Sequence, residues 1–303
     1  MFAELFAVIA PILFCTAIGF GWAKTGTLYP ADFVSRLVMY IGTPCLIISV
    51  MSRVDVAPEV MGGVALAFAL ALVLMLVLGG LLIRVLGLPQ SGYLPSLILP
   101  NNGNMGLPVC LFAFGQTGLA LGLAAFLVMM LCTFTLGILL VSRRSGRWYQ
   151  RVQELGRQPV LYAMVIAIYL LVTGHSMPRW LGNTVDLLGD FTIPLMLITL
   201  GVSLANLKVG AWQRSLLFSV VRVLGGMLVG WFSGWLLGLE GVALGVVILQ
   251  SAMPVAILNY LLALQYDRHK EEVAAMVVIS TALAFVILPM ILYWVLPWGA
   301  GLQ

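Results

Sequence analysis

The ten residues from Leu99 to Pro108 interrupt an apolar segment that is otherwise long enough to span a membrane. They include two prolines, two glycines and three asparagines. Proline lacks a backbone N–H and clashes with the preceding helical turn, so a helix ends or kinks there. Backbone groups freed in this way cannot face lipid and are tolerated only against protein or a polar cavity. The stretch therefore predicts a helix broken at bilayer depth, with a binding site at the break.

The composition excludes a soluble domain. Of the 303 residues, 62% are hydrophobic and only 9% are charged, whereas about a quarter of the residues of a soluble domain are charged. The mean hydropathy is +1.11. The net charge of +4 does not indicate nucleic-acid binding, because the basic residues lie in short loops between apolar runs. We expect a polytopic protein whose surroundings are the lipid bilayer.

The sequence predicts no metal site and no bound cofactor. The four cysteines lie within apolar segments and have neither metal-ligand nor Cys-x-x-Cys spacing, so we expect them to act as small apolar residues. The two histidines, His175 and His269, are single residues in predicted loops, without a second ligand nearby in the sequence.

The apolar pattern repeats ten times along the chain. At roughly 20 residues per membrane-spanning helix, the predicted segments are about 2–23, 31–52, 60–83, 91–112, 117–140, 159–174, 184–205, 214–237, 241–264 and 272–296. The connection after the fifth segment carries five arginines, and the other connections of the same parity are also basic. Because basic loops stay in the cytoplasm, we expect these connections there and both termini on the external, periplasmic side.

The two halves of the chain contain a related motif. Residues 40–49 and 190–199 each contain a proline, followed by the same pattern of apolar and hydroxyl side chains. These prolines, Pro44 and Pro194, lie 150 residues apart. The offset predicts an internal repeat, although chance similarity between apolar segments is the alternative.

A second sequence similarity between the halves relates Pro108 of the fourth segment to Pro254 of the ninth. The halves then consist of residues 1–141 and 159–303, joined by a basic cytoplasmic linker at 142–158. Because each half has an odd number of spans, the second half inserts into the membrane with the opposite orientation to the first. The sequence therefore predicts an all-α polytopic membrane protein of ten transmembrane helices, built as two inverted five-helix repeats with broken crossover helices 4 and 9.

Polar residues cluster at both predicted breaks. Amide and hydroxyl groups offer donors and acceptors without a fixed charge, and half-helix N-termini at such a crossing can hold an anion. The predicted substrate-binding residues are Asn101, Asn102, Asn104, Gln250, Ser251 and Asn259, and the predicted crossover or helix-break residues are Gly103, Gly106, Pro108, Pro254, Pro44 and Pro194. The alternative is that the amides only cap broken helices or join neighbouring ones.

Three ionisable residues within the predicted spans are candidates for coupling to H⁺ or Na⁺. Asp186 and Asp190 lie one helical turn apart near the external end of the seventh segment. Arg222 lies well inside the eighth segment. Solvation at the external end for the aspartates, and snorkelling to the interface for the arginine, are the alternatives.

Glycines recur every four residues along the eighth segment, at Gly226, Gly230, Gly234 and Gly238. This spacing places small residues along one helix face. It predicts close packing at a helix, domain or dimer interface rather than a substrate path.

The two predicted breaks resemble the crossover motifs of the auxin efflux carrier family, which includes plant auxin exporters and bacterial transporters of small organic acids. Pro100-Asn101 followed by Met105-Gly106-Leu107-Pro108 is similar to the motif of the family's fourth span. Gln250-Ser251-Ala252-Met253-Pro254 is similar to the motif of its ninth span, and residues 193–204 are similar to its seventh. The resemblance extends over essentially the whole chain.

The resemblance implies a secondary carrier of an organic carboxylate that works by an elevator motion and often forms a homodimer. Asn101 matches the family's asparagine that contacts the substrate carboxylate, and Pro108 and Pro254 match its crossover prolines. The chain lacks the long cytoplasmic loop of the plant exporters, which implies a bacterial-type member in the cytoplasmic (inner) membrane. A small dicarboxylate such as malonate or malate is then the expected substrate.

A transporter is favoured over two other classes of membrane protein. The sequence contains no GxxxxGK[ST] phosphate loop, so an ion gradient or the membrane potential would supply the energy. An enzyme is not predicted, because no span holds a paired catalytic constellation. A passive channel or facilitator on the same scaffold is the alternative function.

Overall fold

The computed structural model describes residues 2–54, 56–137, 140, 156–173, 177–207, 212–267 and 269–299, and within these ranges every regular element is a helix. Seven of the described helices are long and apolar enough to cross a membrane: α1, α2, α3, α5, α7, α8 and α11. The helices are α1 (Phe2–Lys24), α2 (Ala31–Met51), α3 (Pro58–Val85), α4 (Gln90–Ile98), α5 (Asn102–Gly137), α6 (Pro159–Thr173), α7 (Arg179–Asn206), α8 (Trp212–Leu236), α9 (Gly241–Ser251), α10 (Ile257–Gln265) and α11 (Lys270–Val295).

Helix α5 consists of two arms. At Phe114 (φ −132°, ψ 15°) and Gly115 (φ 63°, ψ −152°) the backbone leaves the helical region. The positive φ of Gly115 is tolerated because glycine has no Cβ. The arms then pack side by side, since Gly118 and Gly122 of the second arm both contact Cys110 of the first. The kink falls between the expected fourth and fifth segments.

Large apolar side chains cover much of the outer surface. On α6, Tyr162 and Val165 are exposed, and on α8 Trp231 and Trp235 are exposed. In water such a surface would be costly, whereas in a bilayer it faces lipid tails. The chain is therefore a multi-pass membrane protein.

The helices fall into two packing groups. The α1 group contains α1, α2, α6 and α7, and its members pack mainly on one another. The α3 group contains α3, α4, α5 and α8 to α11, and it packs in the same way. Contacts between the groups are fewer and involve mainly α1, α2 and α7 against α5. In the described part of the chain, the α1 group and the α3 group thus form two bodies that meet along a boundary with few contacts.

Glycines allow the closest helix contacts in both groups. A Cβ on Gly19 would overlap the Ile198 carbonyl of α7, and one on Gly201 would overlap the Thr16 carbonyl of α1. In α8, Gly230 packs on the Ser251 side chain of α9 in the same manner. The predicted close packing is confirmed for Gly226, Gly230 and Gly234, which all pack on α9, whereas Gly238 lies beyond the end of α8 and has no neighbour within 4 Å of a Cβ position.

One expected helix break is not a break in the structure, and another is a one-residue interruption. Before Pro44 the chain forms a π-helical turn at Val38–Gly42, in which the Thr43 N–H donates to the Val38 carbonyl five residues back. Pro44 therefore lies within a continuous helix, α2. Before Pro194, regular helix stops at Asp190 and resumes at Thr192, although Phe191 between them keeps helical angles (φ −72°, ψ −15°). Helix α7 therefore consists of two segments joined at Phe191.

The arginine-rich linker predicted at 142–158 lies mostly outside the described residues, which resume at residue 156. The domain boundaries, the inverted ten-span repeat and the orientation of the termini stay predictions.

Candidate functional site

Two interrupted helices meet near the centre of the α3 group. Helix α4 ends at Ile98, and α5 begins at Asn102 after a short extended segment, residues 99–101. Helix α9 ends at Ser251, and α10 begins at Ile257 after a second irregular segment, residues 252–256. The two segments pair through one antiparallel bridge, between Pro100 and Val255.

Backbone groups of the two segments satisfy one another. The Asn101 N–H donates to the Pro254 carbonyl at 2.8 Å, and the Ala256 N–H donates to the Leu99 carbonyl at 3.3 Å. The Asn259 side chain also donates to the Leu99 carbonyl, at 2.9 Å. Buried backbone groups without partners would be costly at membrane depth. The crossing is therefore a hydrogen-bonded unit that ties both broken helices together.

A cavity of about 360 Å³ extends from this crossing to the protein surface. Its inner end includes the buried residues Asn101 and Thr43, and its outer end includes the exposed residues Asp32 and Asn206. One wall comes from α2 and α7 of the α1 group, and the opposite wall from α5 and α10 of the α3 group. The cavity thus lies between the two packing groups.

Two helices begin at the inner end of the cavity. Gly103 and Asn104, in the first turn of α5, and Ile257 and Leu258, in the first turn of α10, line it. The first N–H groups of a helix have no carbonyl partner within that helix and carry partial positive charge. Of the described residues that line the cavity, Asp32 at the exposed end is the one that carries a formal charge. The inner end therefore favours an anion by dipoles rather than by a cationic side chain.

Two of the six predicted substrate-binding residues, Asn101 and Asn104, line the cavity. Asn101 is buried, and its side-chain N–H₂ group has no hydrogen-bond partner among the described residues. An orphaned donor of this kind is available to a ligand or to water.

The other four predicted substrate-binding residues are buried but lie away from the cavity wall. Gln250 packs between the arms of α5, with its Nε2 atom 3.6 Å from Cys110 Sγ and 3.5 Å from the Gly122 carbonyl oxygen. Asn259 supports the crossing through the Leu99 carbonyl. Asn102 and Ser251 have no side-chain hydrogen-bond partner in the described part of the chain. Gln250 and Asn259 therefore fit the alternative, a structural role at the broken helices, whereas a substrate-binding role for Asn102 and Ser251 stays a prediction.

The break in the first half is centred on Pro100 rather than on Pro108. Pro108 lies in the first turn of the α-helical part of α5, where a missing N–H is tolerated. Pro254 does lie in the irregular segment, and its counterpart across the bridge is Pro100–Asn101. The expected equivalence of Pro108 and Pro254 is therefore corrected.

The predicted glycines Gly103 and Gly106 belong to the π-helical turn Asn102–Gly106 that opens α5. Gly106 lies directly against the Gln250 side chain, and Gly103 lies against the Phe126 ring. Both positions therefore need the absence of a side chain for packing.

None of the three coupling candidates lines the cavity. Asp186 accepts hydrogen bonds from Ser49 Oγ (2.6 Å) and from the Arg53 guanidinium, so it links α7 to the end of α2. Asp190 is exposed. Arg222 is fully buried, and its described partners are backbone carbonyls of the crossing. A coupling role for these residues stays a prediction that their positions in the structure do not support.

Sequence reasoning missed the cavity wall formed by the α1 group. Polar wall residues recur on one face of each helix, two turns apart at Ser35 and Thr43 on α2 and one turn apart at Thr199 and Ser203 on α7. Near the outer end, Tyr29 and Thr199 share a hydrogen bond of 2.8 Å between their hydroxyl groups. The signal that could have found this wall is a polar stripe within otherwise apolar spans.

Paired interrupted helices beside a central cavity, in a chain with many membrane helices, are characteristic of secondary transporters. The fold and the site thus define a membrane transport protein.

Comparisons with known proteins agree with this class. The family model described as "Membrane transport protein" matches residues 149–292. An uncharacterized transporter of Methanocaldococcus jannaschii is 23% identical over 270 residues, covering 85% of this chain and 87% of the relative. An uncharacterized transporter of Methanothermobacter thermautotrophicus is 25% identical over 272 residues, covering 86% and 87%. Together these matches confirm the resemblance to the auxin efflux carrier family.

Proposed function

We propose that this protein is a secondary active transporter of small organic anions, driven by an ion gradient or by the membrane potential. The observation that carries the proposal is the inner end of the cavity. There, two half-helix N-termini and the amides of Asn101 and Asn104 converge without a neutralising acidic group. Helix N-termini and amide N–H groups bind carboxylates well in a site shielded from water.

The cavity wall favours an anion with a single carboxylate on an apolar body. Beyond the polar inner end, much of the lining is thioether and aromatic, including Met39, Phe126, Met129 and Met196. Among the described lining residues there is no lysine, arginine or histidine. A second carboxylate buried here would lack a partner, which is costly. The dicarboxylate implied by the family resemblance is therefore the second candidate.

An elevator motion is supported by the way the helices pack. Hydrogen bonds at the crossing hold α4, α5, α9 and α10 together, so the α3 group can move as one body. The cavity lies at its boundary with the α1 group, where contacts are fewer. Sliding of one group along the other would carry the inner end of the cavity across the membrane. Each residue of the site would keep its local contacts during the motion.

A passive channel is the alternative, and the crossing argues against it. The paired segments lie beside the inner end of the cavity, and Leu99 and Val255 in them are fully buried, as expected of a packed barrier rather than an open path. A channel needs a continuous open path, whereas a carrier exposes its site to one side at a time. The present arrangement fits one state of a carrier.

Thermal unfolding of the purified protein with a panel of carboxylates tests the proposal. A ligand that binds only the folded state raises the melting temperature. We expect a concentration-dependent rise with one or more monocarboxylates, and a smaller rise with dicarboxylates of similar size. The rise should be lost in Asn101→Ala and kept in Asn183→Ala, a matched change at an exposed asparagine of α7. A rise with cations or neutral solutes but with no carboxylate would contradict the anion assignment.

A further inference from the structure

Arg222 is the largest fully buried side chain among the described residues, with 1% of its surface exposed. It lies in the π-helical turn Val221–Gly225 of α8. Its guanidinium group donates to three backbone carbonyls: Nη1 to Leu97, Nη2 to Ser251 and Nε to Met253, the last at 3.1 Å. One side chain of α8 thus contacts the carboxyl ends of both α4 and α9.

The Leu97 and Ser251 carbonyls have no N–H partner within their own helices, because these helices are broken. In an uninterrupted helix the Leu97 carbonyl would accept from the N–H of Asn101, and the Ser251 carbonyl from that of Val255. Here the Asn101 N–H donates to the Pro254 carbonyl at 2.8 Å. The Val255 N–H donates to Ser280 Oγ at 3.0 Å. Arg222 therefore takes the place of both diverted donors.

The two carbonyls occupy equivalent positions. Leu97 lies three residues before Pro100, and Ser251 lies three residues before Pro254. A guanidinium group is planar and presents several donors in a fixed arrangement, so it can bind two such carbonyls at once. The contact fixes the end of one broken helix relative to the end of the other.

Charge and space at this position both suit a buried guanidinium group. The carboxyl ends of helices carry partial negative charge, which a cation offsets. Gly226, one turn along α8, leaves room for it, because a Cβ there would lie 2.8 Å from Nη2 and would overlap the Ser251 carbonyl. The positive ends of α5 and α10 face the cavity instead.

We propose that Arg222 is a positioning residue: it holds the carboxyl ends of α4 and α9 in register, and thereby sets the two helix N-termini at the cavity in the geometry that binds the substrate. It does not line the cavity and is not expected to touch the substrate. Its carbonyl partners also make it an unsuitable carrier of a coupling proton. The effect of Arg222 on substrate binding rests on the proposed function, whereas its hold on the crossing does not.

Two substitutions and one matched control test this inference. Arg222→Lys keeps the charge but cannot reach three carbonyls, and Arg222→Ala leaves a guanidinium-sized gap. Arg214→Ala removes an exposed arginine of the same helix and serves as the control. We expect both Arg222 variants to lower the melting temperature of the ligand-free protein by at least about 5 °C. In Arg222→Lys, the carboxylate concentration that gives half the maximal thermal shift should rise about tenfold.

Guanidinium ion provides the specific readout. Added at millimolar concentration during purification and unfolding, it should raise the melting temperature of Arg222→Ala, whereas ammonium and sodium ions should not. Wild type and Arg214→Ala should show no such rise. If Arg222→Ala cannot be purified without guanidinium ion but can be purified with it, that result also supports the inference.

Three results would overturn the inference. The first is a wild-type melting temperature in both Arg222 variants. The second is a lowered melting temperature in Arg222→Ala that ammonium or sodium ion restores as well as guanidinium ion. The third is a destabilised Arg222→Lys that binds the carboxylate with wild-type affinity, because Arg222 would then be structural only. If no carboxylate stabilises the wild type, the proposed function fails. The unfolding of the ligand-free variants and the guanidinium experiment still decide whether Arg222 holds the crossing.

Discussion

For the proposed transporter, we expect binding at the inner end of the cavity to depend on amide groups and helix ends rather than on charged side chains. Asn101 offers an N–H₂ group without a partner, and Asn104, in the first turn of α5, lines the same cavity. Hydrogen bonds to a charged group contribute about 1.5–3 kcal/mol each. Loss of one amide should therefore weaken binding strongly while leaving the fold intact.

We predict that Asn104→Ala lowers the apparent affinity for the transported carboxylate roughly tenfold to a hundredfold. The melting temperature of the ligand-free protein should stay near that of the wild type, because Asn104 is only partly buried. Ligand titrations followed by thermal unfolding measure both quantities. Asn102→Ala is the control, since Asn102 is buried away from the cavity wall. Equal losses in both variants would contradict the placement of the site.

A second residue-scale prediction concerns Asp186. In Asp186→Asn the hydrogen bond with Ser49 can persist, while the ion pair with Arg53 is lost. The Arg53 side chain is 61% exposed, so the cost should be below about 1 kcal/mol. Transport should keep its dependence on pH or Na⁺ in this variant, and also in Asp190→Asn. Abolition of that dependence in either variant would restore an aspartate as the coupling group.

At the scale of elements, the broken helices are held by contacts that leave no room for a side chain. Gly226 and Gly230 of α8 pack on the end of α9 at Ser251, and Gly226 also lies beside the Arg222 guanidinium. This packing and the hydrogen bonds of the crossing act on the same short segment. A methyl group added here should displace α9.

We predict that Gly226→Ala destabilises the protein by about 1–3 kcal/mol, because the new Cβ overlaps the Ser251 carbonyl. Gly80→Ala is the matched control, since nothing lies within 4 Å of a Cβ at that position in α3. It should be neutral or stabilise the helix by up to about 1 kcal/mol. Thermal unfolding of both variants checks the prediction, which fails if Gly226→Ala is as stable as Gly80→Ala.

The sequence located the elements of the crossing better than it located their partners. The stretch from Leu99 to Pro108 carries a break because prolines, glycines and amides mark it directly. The register of the break differs, because Pro100 and Pro108 are equally able to end a helix and only the pairing with Val255 distinguishes them. Helix periodicity likewise could not reveal that Arg222 contacts carbonyls that lie 29 and 125 residues away in the sequence.

At the scale of the whole molecule, the cavity opens on one side. Its outer end is formed by the start of α2 and the end of α7, on the side that the positive-inside rule predicts to face the cytoplasm. The cavity wall formed by the α1 group was not predicted, because Thr199 and Ser203 lie in an apolar segment whose sequence is typical of any membrane-spanning helix. Tertiary packing alone brings that wall to the crossing.

We predict that Ser203→Cys reacts with a membrane-impermeant maleimide added from the cytoplasmic side, and that the substrate slows this reaction. The background should lack the four native cysteines, Cys15, Cys45, Cys110 and Cys132. Ser233→Cys, at a fully buried serine of α8, is the control and should not react from either side. Labelling of Ser203→Cys only from the external side would reverse the predicted orientation.

Solute counterflow in proteoliposomes is the most direct measurement of the central claim, that a carrier exposes this cavity alternately to the two sides. Vesicles are loaded with the unlabelled carboxylate that gives the largest thermal shift, and a trace of labelled carboxylate is added outside. A carrier should accumulate label transiently above its equilibrium level, and Asn101→Ala should reduce this overshoot at equal protein content. Label that only equilibrates without an overshoot would indicate a passive channel, and absence of any uptake would contradict transport of that anion.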